Sequence, residues 1–176
     1  MNRAVFLDRD GVINRACVSD GKSYPPGSLA EVEILPGVAS ALERLKSACY
    51  LLIVVTNQPD VATGKTPRSV VDQINSLLAR TLPVDEFRTC YHDDKDCCQC
   101  RKPLPGALLE AAKMHNIDLS KSFMIGDRWR DIEAGAAAGC KTFFINYGYQ
   151  EKQPECPDFI ISSLAEAAEI IIGEFS

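Results

Sequence analysis

Asp8 and Asp10 are the residues from which chemistry is most directly argued. They stand one residue apart in Ala4-Val5-Phe6-Leu7-Asp8-Arg9-Asp10-Gly11-Val12-Ile13-Asn14, where an apolar run ends. Acids inside such a run would be costly to bury. Beyond its end they occupy the place where open α/β sheets hold their ligands. The plain alternative is a pair of loop acids capping a turn. Asp127 stands in the same way after the apolar run Ser122–Ile125 and Gly126. Brought together, Asp8, Asp10 and Asp127 repel one another unless a cation neutralises them. An all-oxygen, highly charged set suits Mg²⁺, which favours carboxylates combined with a substrate phosphate. Thr56 and Asn57 offer a hydroxyl and an amide, and Arg101 and Lys102 offer positive charge. Acids with a metal, together with these four, form a phosphate-handling set. In such a set one carboxylate attacks phosphorus to give an aspartyl-phosphate. A second acid protonates the leaving alcohol and then activates water. Taken singly, Arg101-Lys102 reads as a solvated surface pair and Thr56-Asn57 as a cap or turn.

A second cluster lies in Cys90-Tyr91-His92-Asp93-Asp94-Lys95-Asp96-Cys97-Cys98-Gln99-Cys100. The chain holds eight cysteines, and four of them fall in this stretch. In a reducing compartment the cluster reads as metal binding rather than as a disulfide framework. Three thiols and one imidazole suit tetrahedral Zn²⁺. Cys90 and His92 make one arm. The other arm takes two of Cys97, Cys98 and Cys100, and Cys97 with Cys100 has the commoner C-x-x-C spacing. Four protein ligands would close the site to water and make it structural. The loop would then be braced, and would deliver Arg101 and Lys102 to the phosphate.

The elements that must position these groups follow from periodicity. Ala4–Leu7, Leu51–Val55, Ser122–Ile125 and Lys141–Ile145 are short apolar strands of the kind buried on both faces of a parallel sheet. Val84–Tyr91 is a weaker strand and Phe159–Ile161 an edge strand. Val38–Ala48, Ser69–Leu82, Pro105–His115, Ile132–Ala138 and Leu164–Glu174 are helices. Leu108, Leu109 and Ala112 form the expected buried face of the third helix, and Gly139 stops the fourth. Arg15–Ile34 is irregular, with Ser-Asp-Gly-Lys and Pro-Pro-Gly turn signals, and is long enough to cover a site. The alternation predicts one α/β domain over residues 1–176, in three layers about a central parallel sheet. Asp8, Thr56 and Asp127 each follow an apolar strand and so fall along one edge of it.

The 176 residues are 46% hydrophobic and 24% charged, which supplies an ordinary globular core. The formal charge of −5 argues against a broad nucleic-acid-binding face. No signal peptide and no bilayer-length apolar run is evident, so a soluble, cytoplasmic protein with no membrane partner is expected. Cys17, Cys49, Cys140 and Cys156 read as ordinary buried or surface residues. His115 reads as a helix-end or solvated residue. Trp129 reads equally as a wall of the site or as packing, and Glu151–Pro157 as a plain loop.

Asp8-Arg9-Asp10-Gly11-Val12 resembles the first motif of the haloacid dehalogenase superfamily of phosphatases. Thr56 after Ile53-Val54-Val55, Lys102, and Gly126-Asp127-Arg128-x-x-Asp131 resemble its second, third and fourth motifs, in order along the whole chain. Phe6–Gly11, Thr56-Asn57-Gln58, Cys98-x-Cys100-Arg101-Lys102-Pro103 and Gly126-Asp127 are similar to the heptose-bisphosphate phosphatase family, and are partly shared with histidinol-phosphatase domains. The resemblance implies a Rossmann-like, capless, monomeric enzyme with a Mg²⁺-dependent phosphatase activity towards a small phosphorylated sugar, the 7-phosphate of a heptose 1,7-bisphosphate, in surface-glycan precursor synthesis. It implies Asp8 as nucleophile and Asp10 as acid and base. Mg²⁺ would be held by Asp8, the Asp10 carbonyl and Asp127, with Thr56 and Lys102 on the phosphoryl group. It implies Asn57, Gln58, Arg101 and Arg128 at the substrate, and Cys90, His92, Cys98 and Cys100 around Zn²⁺. The chain departs from the family at Pro59-Asp60, where Ser-Gly is frequent, and over Arg15–Glu33. Histidinol phosphate, a nucleic-acid end, or a non-enzymatic zinc-braced binding module are the competing readings. The acidic balance weighs against the second, and the intact acid, Thr and Lys set against the third.

Overall fold

The computed structural model describes residues 1–175. Eight strands and five helices lie in the following places. The strands are β1 (Arg3–Leu7), β2 (Cys17–Ser19), β3 (Lys22–Tyr24), β4 (Tyr50–Asn57), β5 (Glu86–Cys90), β6 (Phe123–Gly126), β7 (Lys141–Ile145) and β8 (Phe159–Ile161). The helices are α1 (Val38–Ser47), α2 (Arg68–Thr81), α3 (Gly106–His115), α4 (Trp129–Ala138) and α5 (Leu164–Phe175). Six strands form a parallel sheet in the order β5-β4-β1-β6-β7-β8. Strand order reverses at β1, which has β4 on one side and β6 on the other. The crevice at the carboxyl ends of these three strands is the switch point of an open sheet.

Alternation along the strands builds two cores. Val5 and Leu7 of β1, Leu52 and Val54 of β4, and Phe123 and Ile125 of β6 face α1, α2 and α5. Ala4 and Phe6, Ile53 and Val55, and Met124 face α3 and α4. The three-layer α/β architecture expected from the sequence is therefore present. No helix among the described residues is long and apolar enough to cross a membrane.

Three local expectations change. Arg15–Ile34 contains an antiparallel hairpin, β2–β3, joined by Asp20 and Gly21 at φ of 50° and 71°. The Asp-Gly pair is a strong two-residue hairpin signal, because both positions need positive φ. Helix α4 begins at Trp129 rather than Ile132, because the Asp131 carboxylate accepts from the Arg128 backbone N–H and caps the first turn. Helix α3 buries Ala107, Leu108, Ala111 and Ala112 and leaves Leu109 45% exposed. The i, i+4 pairs 107/111 and 108/112 make a narrow stripe of small residues, and Leu109 is rotated off it. His115 pairs with Glu86 at 2.6 Å.

Close packing of α4 on β6 and β7 fixes the approach of the loop that carries Asp127. A Cβ on Gly135 would lie 2.5 Å from the Met124 Cβ and 3.1 Å from Thr142. Alanine at 135 would gain ~1 kcal/mol of helix propensity, but overpacking a core costs about 1–3 kcal/mol. Gly135→Ala is thus expected to lower unfolding free energy in a denaturant titration; a more stable variant would contradict this packing.

Candidate active site

Asp8 follows β1 directly, and its backbone N–H donates to the Ile125 carbonyl of β6 at 3.0 Å. Lys102 enters from the loop before α3. Its ammonium donates to Asp8 Oδ1 at 2.8 Å and to the Val55 carbonyl at 2.6 Å, and pairs with Asp131 Oδ1 at 2.6 Å. The side chains of Lys102 and Asp131 are each 2% exposed. Asn57, at the end of β4, grips the Lys102 backbone from both sides. It accepts from the N–H at 3.1 Å and donates to the carbonyl at 2.9 Å.

Asp8, Asp127 and Asp131 bring carboxylate oxygens within 4.8 Å of one another. Burial, then the Asp131 charge, pushes the Asp8 carboxyl up to about 6, against the pull of Lys102. Burial and the charges of Asp8 and Asp131 raise Asp127 well above the usual carboxylate range. Burial opposes the Lys102 ammonium, yet Asp131 and Asp8 outweigh it and hold Lys102 above its ordinary value. Asp127 Oδ1 is buried without a hydrogen-bond partner. An orphaned anionic oxygen beside two further acids is a donor set that fits a hard divalent cation.

Asp10 is held differently. Its carboxylate accepts from Arg9 Nε and an Arg9 terminal nitrogen at 3.1 and 3.0 Å, from Asn14 at 2.9 Å and from Gln58 at 2.8 Å. Arg9 is fully buried and donates also to Asn75 of α2. Asp10 thus has a charged and amide-lined cradle of its own, outside the triad of acids. Gly11 has φ +92°, and a Cβ there would stand 1.9 Å from Asp127 Oδ2, so the turn after Asp10 demands glycine.

Asp8, Asp10 and Asp131 open onto a cavity of about 190 Å³ that Thr56, Asn57, Lys102 and Arg128 also line, with Lys22, Tyr24, Asp60 and Arg130 around them. A family model described as HAD-hydrolase-like matches residues 99–167. D-glycero-β-D-manno-heptose-1,7-bisphosphate 7-phosphatase of Pasteurella multocida (strain Pm70) is 34% identical over 98% of this chain and 98% of its own length. The Escherichia coli (strain K12) protein of that name is 33% identical over 96% and 93%. The chain belongs to the haloacid dehalogenase superfamily of phosphatases. The crystal structure of D,D-heptose 1,7-bisphosphate phosphatase from B. bronchiseptica, complexed with magnesium and phosphate, has a TM-score of 0.81 to this chain. It is 30% identical, covering 98% of this chain and 99% of that one.

Within this haloacid dehalogenase fold, two residues expected at the substrate do not line this cavity. Gln58 is 2% exposed and does not reach the cavity wall, because its amide is spent on Asp10 and on Thr56 Oγ1 at 2.9 Å. Arg101 turns away to Asp94 at 2.9 Å, where the local negative charge draws it. Arg128 does line the cavity, with its guanidinium paired to Glu151. Glu151 therefore belongs to more than a plain loop. Trp129 carries the cations of Arg130 and Lys152 at 4.7 and 4.3 Å from its ring.

The sequence reading gave Asp131 no separate role, although it lies four residues after Asp127 at a helix start. Lys22 and Arg130 were also missed, and Lys22 comes to the cavity only through the hairpin. Cys90 at the end of β5 gathers with His92, Cys98 and Cys100 of the following loop, with sulfur–sulfur and sulfur–Nδ1 separations of 3.2–3.7 Å. Zn–S bonds of ~2.3 Å in a tetrahedron give sulfur edges of about 3.8 Å, close to these. Cys97 points out to the Lys95 carbonyl instead. Of the open pairings, the structure brings together the one with Cys98.

Three buried acids face one buried ammonium, so in the absence of a cation the cluster carries excess negative charge. Asp127→Asn removes one charge and keeps a group that can accept from its neighbours. We expect this variant to melt higher than the native chain in EDTA, where ~1 kcal/mol corresponds to about 2–4 °C for a chain of this size. We expect it to lose stabilisation by Mg²⁺. A lower melting temperature in EDTA would contradict the crowding.

Proposed function

We propose that the protein is a Mg²⁺-dependent phosphomonoesterase that removes the 7-phosphate of D-glycero-D-manno-heptose 1,7-bisphosphate through a phosphoryl group carried on Asp8. The observation that carries this reading is the buried Lys102 ammonium shared by Asp8 and Asp131, beside the orphaned Asp127 oxygen, where Asp8, Asp131 and Lys102 meet a small cavity. The full-length likeness to heptose-bisphosphate phosphatases supports the substrate.

Asp8 forms a bond to phosphorus as the bond from phosphorus to the sugar oxygen breaks. Asp10 gives that oxygen its proton, then takes one from the water that attacks the acyl-phosphate and regenerates Asp8. Arg9, Asn14 and Gln58 orient Asp10 for both tasks. The Thr56 hydroxyl stabilises the phosphoryl oxygens, and Lys102, its protons held by Asp8, Asp131 and the Val55 carbonyl, does so through its charge. Asn57 keeps Lys102 in place through its backbone. Mg²⁺, held by Asp8, the Asp10 carbonyl and Asp127, would neutralise charge on the phosphoryl group. Arg128, with Lys22 and Arg130, supplies positive charge for the rest of the substrate. Arg101 reaches the substrate only by leaving Asp94.

Asp8→Asn is expected to abolish turnover while the chain stays folded. A panel of both anomers of the heptose bisphosphate, histidinol phosphate and a 3′-phosphorylated oligonucleotide tests the substrate. The highest kcat/KM is expected for the heptose; preference for either other compound would overturn this assignment.

We further propose that Cys90, His92, Cys98 and Cys100 hold a structural Zn²⁺ that braces the loop ending in Lys102. Metal analysis is expected to find one zinc per chain in the native protein and in Cys97→Ser, and little in Cys98→Ser. Full zinc in Cys98→Ser would refute this ligand set.

A further inference from the structure

The segment after β7, Tyr147-Gly148-Tyr149, touches both loops that carry the acids. Gly148 has φ +71°, and the two tyrosine rings lie 5.6 Å apart at an interplanar angle of 35°. Tyr147 Oη donates to the Gly11 carbonyl at 2.9 Å, in the turn after Asp8 and Asp10. Tyr149 Oη donates to Asp127 Oδ2 at 2.9 Å, in the loop after β6. The two loops are themselves in contact, since Gly11 has no room for a Cβ against Asp127. Beyond Tyr149, the Gln150 N–H donates to the Gly21 carbonyl of the hairpin at 2.8 Å, which anchors the segment.

We propose that this segment is a staple that fixes the Mg²⁺ site, with Tyr149 as the positioning residue for Asp127. The hydrogen bond makes the two Asp127 oxygens unequal. Oδ2 is held by the phenol, and Oδ1 is left buried and unpartnered. The charges of Asp8 and Asp131 push on this carboxylate, and a carboxylate free to rotate would turn away from them. A phenol resists that rotation without adding positive charge. A lysine or arginine in its place would satisfy the negative charge that the cation needs. Groups that orient ligands from behind in this way typically change metal affinity 10–100-fold when removed.

The inference rests on Asp127 as a Mg²⁺ ligand, and the test separates the two claims. Mg²⁺ is titrated calorimetrically into the substrate-free chain and its Tyr149→Phe, Tyr147→Phe and Asp127→Asn variants, with melts in EDTA to verify folding. Tyr149→Phe is expected to raise the Kd for Mg²⁺ about 10–100-fold. Tyr147→Phe should raise it by a smaller factor. For Tyr149→Phe the Mg²⁺ activation constant should rise in step, with kcat restored at saturating Mg²⁺. If Asp127→Asn loses binding while Tyr149→Phe stays within twofold of the native chain, the staple is overturned. Should Tyr149→Phe not fold, an unchanged Kd in Tyr147→Phe overturns it. Unchanged binding in Asp127→Asn overturns the metal assignment instead.

Discussion

The ammonium of Lys102, shared between Asp8 and Asp131 in a place closed to solvent, is the interaction on which the site depends. Removing one partner of a buried ion pair typically costs about 3–5 kcal/mol, because the survivor keeps its desolvation penalty. Here the partners are also unequal in number. Lys102 spends its three protons on Asp8, Asp131 and the Val55 carbonyl, and Asp127 receives none of them. The uncompensated charge suits this place to a divalent cation, whose two positive charges offset it. Crowding that would be a defect in a structural core is here the source of the chemistry.

The fold makes that crowding possible. β1, β4 and β6 end together at the switch point of the sheet, so Asp8, Thr56 and Asp127 meet although far apart in sequence. Lys102 comes from a connection with little apolar content, between β5 and α3. Its backbone is held on both sides by Asn57, and the cysteine–histidine cluster precedes it directly in the chain. The N-terminal turn of α4 brings Asp131, whose two oxygens divide between capping the helix and holding Lys102. Local backbone requirements and the reaction centre are thus met by the same side chains.

Much of this was legible in the sequence because it is periodic or local. Apolar runs located the strands, and the acids at their ends located the site. The cysteine–histidine cluster followed from residue type, with Cys98 preferred to Cys97 on the family resemblance, and in three dimensions Cys98 joins Cys90, His92 and Cys100. What was not legible depends on contacts between distant segments. Nothing in Tyr147-Gly148-Tyr149 announces that it faces Asp127 across 22 residues. Gln58 and Arg101 sit in the right stretches, but their side chains are claimed by Asp10 and Asp94, and no local pattern reveals such competition. Leu109 differs from expectation for a related reason: three alanines with Leu108 pack α3 closely, so the buried stripe follows shape rather than size. The hairpin at Asp20-Gly21 was available from turn chemistry alone, and it brings Lys22 to the cavity.

In the proposed mechanism Asp8 and Asp10 have distinct tasks: one carries phosphorus and the other moves protons. An aryl phosphate has a leaving group that needs no proton, so Asp10→Asn should still be phosphorylated by it but should hydrolyse slowly. Acid quenching of that variant with Mg²⁺ and an aryl phosphate, followed by peptide mass mapping, reads the consequence directly. One phosphoryl group is expected on Asp8, released by hydroxylamine. A phosphoryl group on any other side chain would contradict it.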